Sequence, residues 1–315
     1  MRAPSLLREV RKKPGFRSLL LALAVARLGR PASERCGADL ECFPGLPYHR
    51  HMLWKVAFYA GARLVPYGGE ATANARRPRL RLVWPDQTAT AAGEPRRPPP
   101  SLPWWEGALN ARADDESKRK VEREFARAFG YGLAVDPTVH VGPCVAKSDR
   151  LNGAHDGRVV ECPIAEADPA LTYQRLLDNR ADADTVLDLR VPVVGGEIPF
   201  VYRKYRPLRD RFSNANTAVV IAEPADVFSE AERAKLVALA RAMGLELGGE
   251  LDVLRDARDG RIYVVDANWT SWGPPRPMRT SDAVRAVRTY AEALARLAAR
   301  AEHDATLRSR TTTAR

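Results

Sequence analysis

Three oxygen-bearing side chains fall into a pattern suited to a hard metal ion. The run ELDVLRDARDGRIYVVDANWTSWGPP over residues 250–275 reads as two strands joined at Arg258-Asp259-Gly260. Glycine at the third position is what a three-residue hairpin loop with a left-handed closing residue requires. With that loop, Ala257 faces Arg261, Leu254 faces Val264 and Asp252 faces Asp266, the last two with Cβ atoms about 5 Å apart. Asn268 lies two residues beyond Asp266 and shares its face. Two carboxylates this close repel each other unless a cation sits between them. Oxygen donors from Asp, Asp and Asn suit Mg²⁺, which keeps waters and takes further ligands from phosphate; Mn²⁺ suits the same donors. The other reading is a surface hairpin with solvated acids. Val253, Val264 and Val265 weigh against it, because they imply burial on both faces.

Cations upstream could handle phosphate. Lys147 ends the apolar run 141–146 and is followed by Asn152-Gly153-Ala154-His155-Asp156-Gly157. Two glycines in a short loop let backbone N–H groups approach an anion. A β-turn after a surface lysine has the same appearance. Lys118 stands near the start of a helix, where phosphate is favoured, although Arg119 and Lys120 adjoin it as solvated lysines and arginines would. Arg190 lies inside the apolar run DLRVPVVGG; a strand-interior arginine is paired or bound, and a structural pairing with Asp188 or Glu197 would also satisfy it.

These residues need elements to position them. Helical spacing of Val121, Phe125 and Phe129 predicts a helix over 115–129, stopped by Gly130. Strands are predicted over 139–147 and 158–164, a hairpin over 187–194 and 198–203 around Gly195-Gly196, and a second over 250–254 and 261–268. Ser229 with Glu232 forms a capping box for a helix running to Met243. An amphipathic helix is expected over 284–297. Earlier in the chain, 48–61 reads as a helix, with strands at 62–66 and 79–84. Antiparallel strands interleaved with helices indicate an α+β fold. The stretch 93–103, with three consecutive prolines, excludes helix and central strand and marks an exposed loop near a domain boundary.

With 315 residues the chain is long enough for two or three cores, and 45% hydrophobic with 28% charged residues is ordinary for a globular protein. The net charge of +11 is carried mainly by arginines scattered along the chain. It would suit nucleic acid or anionic lipid, but no helix-turn-helix, zinc finger or aromatic-rich platform accompanies it, so nucleic acid is not the expected partner. No apolar run reaches the roughly 18 residues of a membrane span. The apolar run 19–26, preceded by Arg8, Arg11, Lys12, Lys13 and Arg17, resembles a signal peptide but is followed at once by Arg27 and Arg30; a short helix is expected. Four cysteines are too sparse for a disulfide scaffold and point to a reduced, cytoplasmic protein. Cys36, Cys42, His49 and His51 invite a zinc site, but the Cys-to-Cys gap exceeds the usual spacing.

In order and kind, these motifs resemble the ATP-grasp superfamily, in the style of its ribosomal-protein glutamate-ligase-like and D-alanine ligase-like branches. ESKRKVEREFARAFGYGLAVDP resembles the segment with the first lysine, here Lys118. CVAKSDRLNGAHDGRVV resembles the second lysine and phosphate loop, here Lys147, Gly153 and Gly157. TYQRLLDN resembles the adenine hinge: Gln174 precedes it, backbone at Arg175, Leu176 and Leu177 would meet the base, and Asp178 the ribose. DLRVPVVGGEIPFVYRK carries Arg190 and a later basic residue, Arg203 or Lys204, of which Arg203 is assigned to the developing tetrahedral centre. YRKYRPLRDR could equally be a basic strand end. RFSNANT brings Asn214 and Asn216, and the hairpin supplies Asp252, Asp266 and Asn268 as metal ligands. The departures are Asp266, where most members carry Glu, and the bulky Trp269 and Trp272 after Asn268, which bear on the acceptor substrate more than on the nucleotide.

The resemblance spans about residues 115–300. It implies a small α/β pre-grasp domain (1–103) and two ATP-grasp subdomains (104–178 and 179–301); the remaining residues, 302–315, are expected to be a disordered tail. It further implies an ATP- and Mg²⁺-dependent ligase joining a small-molecule or peptide carboxylate to an amine or thiol through an acylphosphate, in a chain that could form a homo-oligomer. The competing expectation is an ATP-binding module without ligase activity that regulates or partners an enzyme.

Overall fold

The computed structural model describes residues 14–29, 36, 38–67, 79–84, 105, 107–150 and 155–313. The Pro-rich stretch 93–103, Gly153 and the basic residues Arg8, Arg11, Lys12 and Lys13 lie outside them. The apolar run near the start forms helix α1 (Pro14–Leu28). A parallel sheet follows, with β1 (Asp39–Phe43) between β2 (Leu64–Pro66) and β3 (Arg79–Val83). Helix α2 (Met52–Ala60) makes the crossover that a parallel pair requires.

The rest is antiparallel. Helix α3 (Lys118–Phe129) starts at Ser117, whose side chain accepts from the Lys120 N–H, and presents Val121, Phe125 and Phe129 to the core. Strands β4 (Gly142–Ser148), β5 (Arg158–Cys162) and β6 (Leu171–Arg175) form a three-stranded sheet with β4 at its centre. Five strands make the larger sheet: β7 (Thr185–Val194), β8 (Val201–Pro207), β9 (Ala218–Ala222), β10 (Leu247–Arg255) and β11 (Ile262–Asn268). Their order is β11-β10-β7-β8-β9. Gly195 and Gly196, at φ 56° and 81°, make the two-residue turn between β7 and β8, a turn that needs positive φ at both positions. Val194 and Glu197 exchange backbone hydrogen bonds across it at 2.9 Å. Helix α4 (Glu230–Ala242) begins on the expected Ser229–Glu232 capping box. Helix α5 (Thr280–Thr313) is much longer than 284–297 and continues through most of 302–315, the segment read from sequence as a tail.

The two faces of the large sheet differ. On one, Leu189, Val191, Val201, Leu251 and Val253 pack against Val121 and Phe125 of α3 and Leu236 and Leu239 of α4. The other face divides. At one end Tyr202, Ile221 and Leu247 pack with Val287, Tyr290 and Leu294 of α5. The remainder carries Asp188, Arg190, Lys204, Arg206, Glu250, Asp252, Asp266 and Asn268, which strand pairing sets side by side. No helix among the described residues is long and apolar enough to cross a membrane.

The β10–β11 hairpin corrects the sequence reading in a telling way. The Asp256 N–H donates to the Arg261 carbonyl (2.9 Å) and the Gly260 N–H to the Asp256 carbonyl (2.8 Å), so the loop is four residues, 257–260, not three. Leu254 therefore faces Tyr263, and Val253 faces Val264. A one-residue offset of this kind would turn Asp266 away from Asp252. A bulge at Val265 removes it, and Asp252 faces Asp266 as expected. Two errors in the register cancel.

The parallel sheet meets the large one at Gly248. Its φ is +84°, and a Cβ there would overlap the ring of Trp84, whose Nε1 donates to Nδ1 of His51 at 2.8 Å in a buried setting. Gly248→Ala combines left-handed strain with overpacking and is expected to cost about 2 kcal/mol or more. A urea midpoint unchanged from the wild type would contradict this packing.

Candidate active site

Arg190 organises the polar face of the large sheet. It reaches from β7 to β10, where Nε and Nη2 donate to the two carboxylate oxygens of Asp252, each at 2.9 Å. Bidentate pairing of this kind is strong and directional. Burial pushes the Asp252 carboxyl up, but Arg190 and Lys204 more than offset this and hold it well below the usual carboxylate range. Lys204 Nζ lies 3.7 Å from Asp252 Oδ1. Glu250, two residues back along β10 and 2% exposed, stands 3.6 Å from Arg190 Nη1. Burial pushes its carboxyl up to about 7, against the pull of Arg190. Beyond Arg190, Asp188 accepts from Arg206 at 2.6 Å.

Lysines arrive from the opposite side. Lys147, near the end of β4, donates to the Val265 carbonyl at 2.7 Å. Burial lowers its pKa, and Asp266 partly restores it. Lys118, 5% exposed at the first position of α3, stands 3.4 Å from Asp266 Oδ1. The start of α3 is pinned by Asp149: its carbonyl accepts from the Lys118 N–H and its carboxylate from the Arg119 N–H, both at 3.0 Å. Lys118 and Lys147 thus converge on the strand carrying Asp266. At the far end of the same loop, Gly157 lies under Phe212, where a Cβ would come within 2.8 Å of the ring.

Next to the lysines, the small and large sheets enclose a cavity of about 110 Å³. Val145, Lys147, Gln174 and Arg175 line one side, and Leu254, Val265 and Asp188 the other, with Leu177, Asn179, Arg211 and Phe212 closing it. Gln174 donates to Glu122 at 2.6 Å, and burial pushes the Glu122 carboxyl up to about 7 despite that bond. Arg211 places a guanidinium in the cavity wall, where Nη2 donates to the Leu177 carbonyl (2.8 Å) and to Asn179 Oδ1 (3.0 Å). The Leu176 carbonyl accepts from Arg258. Asp178 pairs with Arg180, which holds its carboxyl down to about 2.

Lys118, Lys147, Arg190, Asp252, Asp266 and Asn268 are therefore brought together, and Gln174, Arg175 and Leu177 border the adjoining cavity. Arg203 is not among them. Strand alternation puts it opposite Leu189 and Val220, on the helix-covered face, with its guanidinium 5.8 Å from the Tyr205 ring. The basic residue of YRK that joins the polar face is Lys204. Glu250 had a signal in sequence, since it stands two residues from Asp252 on the same strand. Lys204 had none: carrying the Gly195-Gly196 turn down the hairpin would set Arg203 opposite Asp188, whereas the strands pair one residue on, with Lys204 opposite Asp188. Arg211 and Asn179 had none.

The expected cation between the acids also needs refinement. Arg190, Lys204 and Lys118 already neutralise Asp252 and Asp266, so burial alone does not require a metal. Two carboxylates and the Asn268 amide on one face, with Asp252 15% and Asp266 21% exposed, are still a donor set that fits Mg²⁺ completed by phosphate and water. Cys36 and Cys42 direct their thiols to the Ala38 and Leu40 carbonyls, and among the described residues no group of three or more His, Cys, Asp or Glu side chains is placed to hold a metal ion.

No protein-family model and no curated protein sequence matches the chain. Among solved structures it is similar to the ATP-grasp ligase PsnB complexed with a minimal precursor, at 16% identity and TM-score 0.49, covering 83% of this chain and 99% of that one. In PsnB with a phosphomimetic precursor variant, Mg and ADP, the match is 20% identical with TM-score 0.43 and covers 62% of this chain and 64% of that one. VanG D-Ala:D-Ser ligase from Enterococcus faecalis matches at 12% identity and TM-score 0.48, over 84% of this chain and 100% of that one.

Removing Arg190 would leave Asp252 and Glu250 buried with their principal counter-charge gone. Arg190→Ala is expected to lose about 3–5 kcal/mol of unfolding free energy, whereas Arg203→Ala should stay within about 1 kcal/mol. Equal losses in urea titrations would contradict the placement of the two arginines.

Proposed function

We propose that the chain is an ATP-grasp protein that binds Mg-ATP between its two antiparallel sheets and joins a carboxylate to an amine or thiol through an acylphosphate. One observation carries the reading. Asp252 and Asp266 face each other across β10 and β11, with Arg190 and Lys204 on their own sheet and Lys118 and Lys147 converging from the other side. Cations and oxygen donors gathered around one cleft suit a metal-bound polyphosphate, and phosphoryl transfer needs little more than positioning and charge neutralisation.

In this reading Asp252, Asp266 and Asn268 hold Mg²⁺, which when bound neutralises charge on the phosphate oxygens. Lys118 and Lys147 exchange their present acceptors, Asp266 and the Val265 carbonyl, for those oxygens. Arg190, held rigid by Asp252, and Lys204 orient the carboxylate being phosphorylated and stabilise negative charge on the tetrahedral centre when the acceptor attacks. The cavity takes the base, and the Leu177 carbonyl becomes free for it when Arg211 withdraws.

Thermal melts with ADP, with and without Mg²⁺, test the nucleotide part. Stabilisation should depend on Mg²⁺ and be lost in Asp266→Ala; equal stabilisation of the variant would reject the metal assignment. Lys147→Ala should weaken ATP binding about tenfold, and unaltered affinity would remove its role. Because Arg211 must leave before the base enters, Arg211→Ala should tighten nucleotide binding several-fold; weaker binding would mean that Arg211 is a ligand of the nucleotide. The ligase part is tested by ADP formation across panels of acids and amines. Turnover that needs both supports ligation, while nucleotide binding with no turnover supports the binding module.

A further inference from the structure

The small sheet holds a thiol pair that the nucleotide reading does not use. Cys144 on β4 and Cys162 on β5 are both free, and their sulfur atoms lie 3.0 Å apart. The register explains the closeness. Cys144 faces Val160 and Gly142 faces Cys162, so the two cysteines are diagonal neighbours on the same face of an antiparallel pair. Both belong to the small apolar core with Ala146, Leu171 and Tyr173. Cys36 and Cys42 lie in a different core, with their thiols directed to the Ala38 and Leu40 carbonyls.

We propose that Cys144 and Cys162 form a reversible disulfide when the protein meets a peroxide. A disulfide needs sulfur atoms about 2.05 Å apart and Cα atoms within about 7 Å, whereas diagonal neighbours stand about 7–8 Å apart, so closing the bond requires a shift of the edge strand β5 as well as side-chain rotation. The two thiols differ in access. Cys144 is fully buried, and burial together with the hydrogen bond to Cys162 pushes its thiol up to about 12, whereas Cys162 is partly exposed. Cys162 is thus the site of first attack. Its thiolate takes one oxygen from hydrogen peroxide, which releases hydroxide and leaves a sulfenic acid. The Cys144 sulfur then displaces that oxygen, which departs as water with the Cys144 proton. In balance, two thiols and one peroxide give one disulfide and two waters, with two electrons passing from sulfur to peroxide.

The bond would close a ring over residues 144–162. That ring contains Lys147 and the whole loop to Gly157, and Cys144 sits opposite Arg175 of β6 at the border of the cavity. Oxidation therefore staples the two strands that carry the loop, and this holds whether or not the nucleotide reading is correct.

The test is limited peroxide treatment of the full chain, followed by quenching, intact mass and peptide mapping. The expected result is a loss of about 2 Da and one cross-link joining the Cys144 and Cys162 peptides, reversed by dithiothreitol. Cys162→Ser should abolish the cross-link, and Cys144→Ser should leave added oxygen on Cys162. If Cys144→Ser does not fold, the wild-type map and Cys162→Ser decide. The proposal is overturned if wild-type Cys162 gains oxygen while Cys144 stays a free thiol. It is also overturned if both thiols survive peroxide that consumes free cysteine, or if the cross-link involves Cys36 or Cys42.

Discussion

The Arg190–Asp252 pair is the interaction on which the polar face rests. A guanidinium inside a sheet is tolerated only with its hydrogen bonds and charge satisfied, and here the fork geometry ties β7 to β10 at their centre. The same arginine is the nearest cation to Glu250. Around that pair the sheet carries several charges at low exposure, and apolar packing on the opposite face backs them. Leu189, Val191, Leu251 and Val253 fill the opposite face against α3 and α4. A buried ion pair seldom outweighs its own desolvation, so the pair adds little net stability even though removing one partner is costly.

From this follows a division of labour between the sheets. The large sheet presents its acids already positioned, while the small sheet and α3 supply lysines on long stems. Lys118 and Lys147 are satisfied by Asp266 and a backbone carbonyl, contacts that a stronger anion could replace. Arg211 treats the Leu177 carbonyl similarly. The cleft thus holds provisional partners at both ends, at the lysines and at the cavity. Arg190 differs, since its bidentate bond fixes the acid it touches.

Much of this was legible in the amino-acid pattern, and the rest was not, for identifiable reasons. Helix α4 announced itself through Ser229 and Glu232, and the β7–β8 hairpin through its two glycines, because those signals are local. The pairing of Asp252 with Asp266 was also legible, but by a register that erred in the loop and was restored by the bulge at Val265; neither a four-residue loop nor a bulge has a firm signature in one sequence. That Lys204 and not Arg203 joins the polar face was not legible, because the pairing at the Gly195-Gly196 turn shifts by one residue before it reaches Asp188, and nothing local in the sequence announces the shift. Arg211, which closes the cavity from a loop more than thirty residues beyond Leu177, is a tertiary contact that no local pattern announces. The disposition of the thiols depends likewise on strand pairing, since Cys144 and Cys162 are 18 positions apart.

The central claim is that oxygens from two neighbouring strands share a divalent ion with a nucleotide. Counting bound Mn²⁺ by electron paramagnetic resonance, with ADP present and absent, addresses it directly. The account predicts that ADP markedly increases Mn²⁺ retention, that the double variant Asp252→Asn, Asp266→Asn abolishes this increase, and that Arg203→Ala leaves it intact. Mn²⁺ retained equally by the double variant, or not retained with ADP by the wild type, would contradict it.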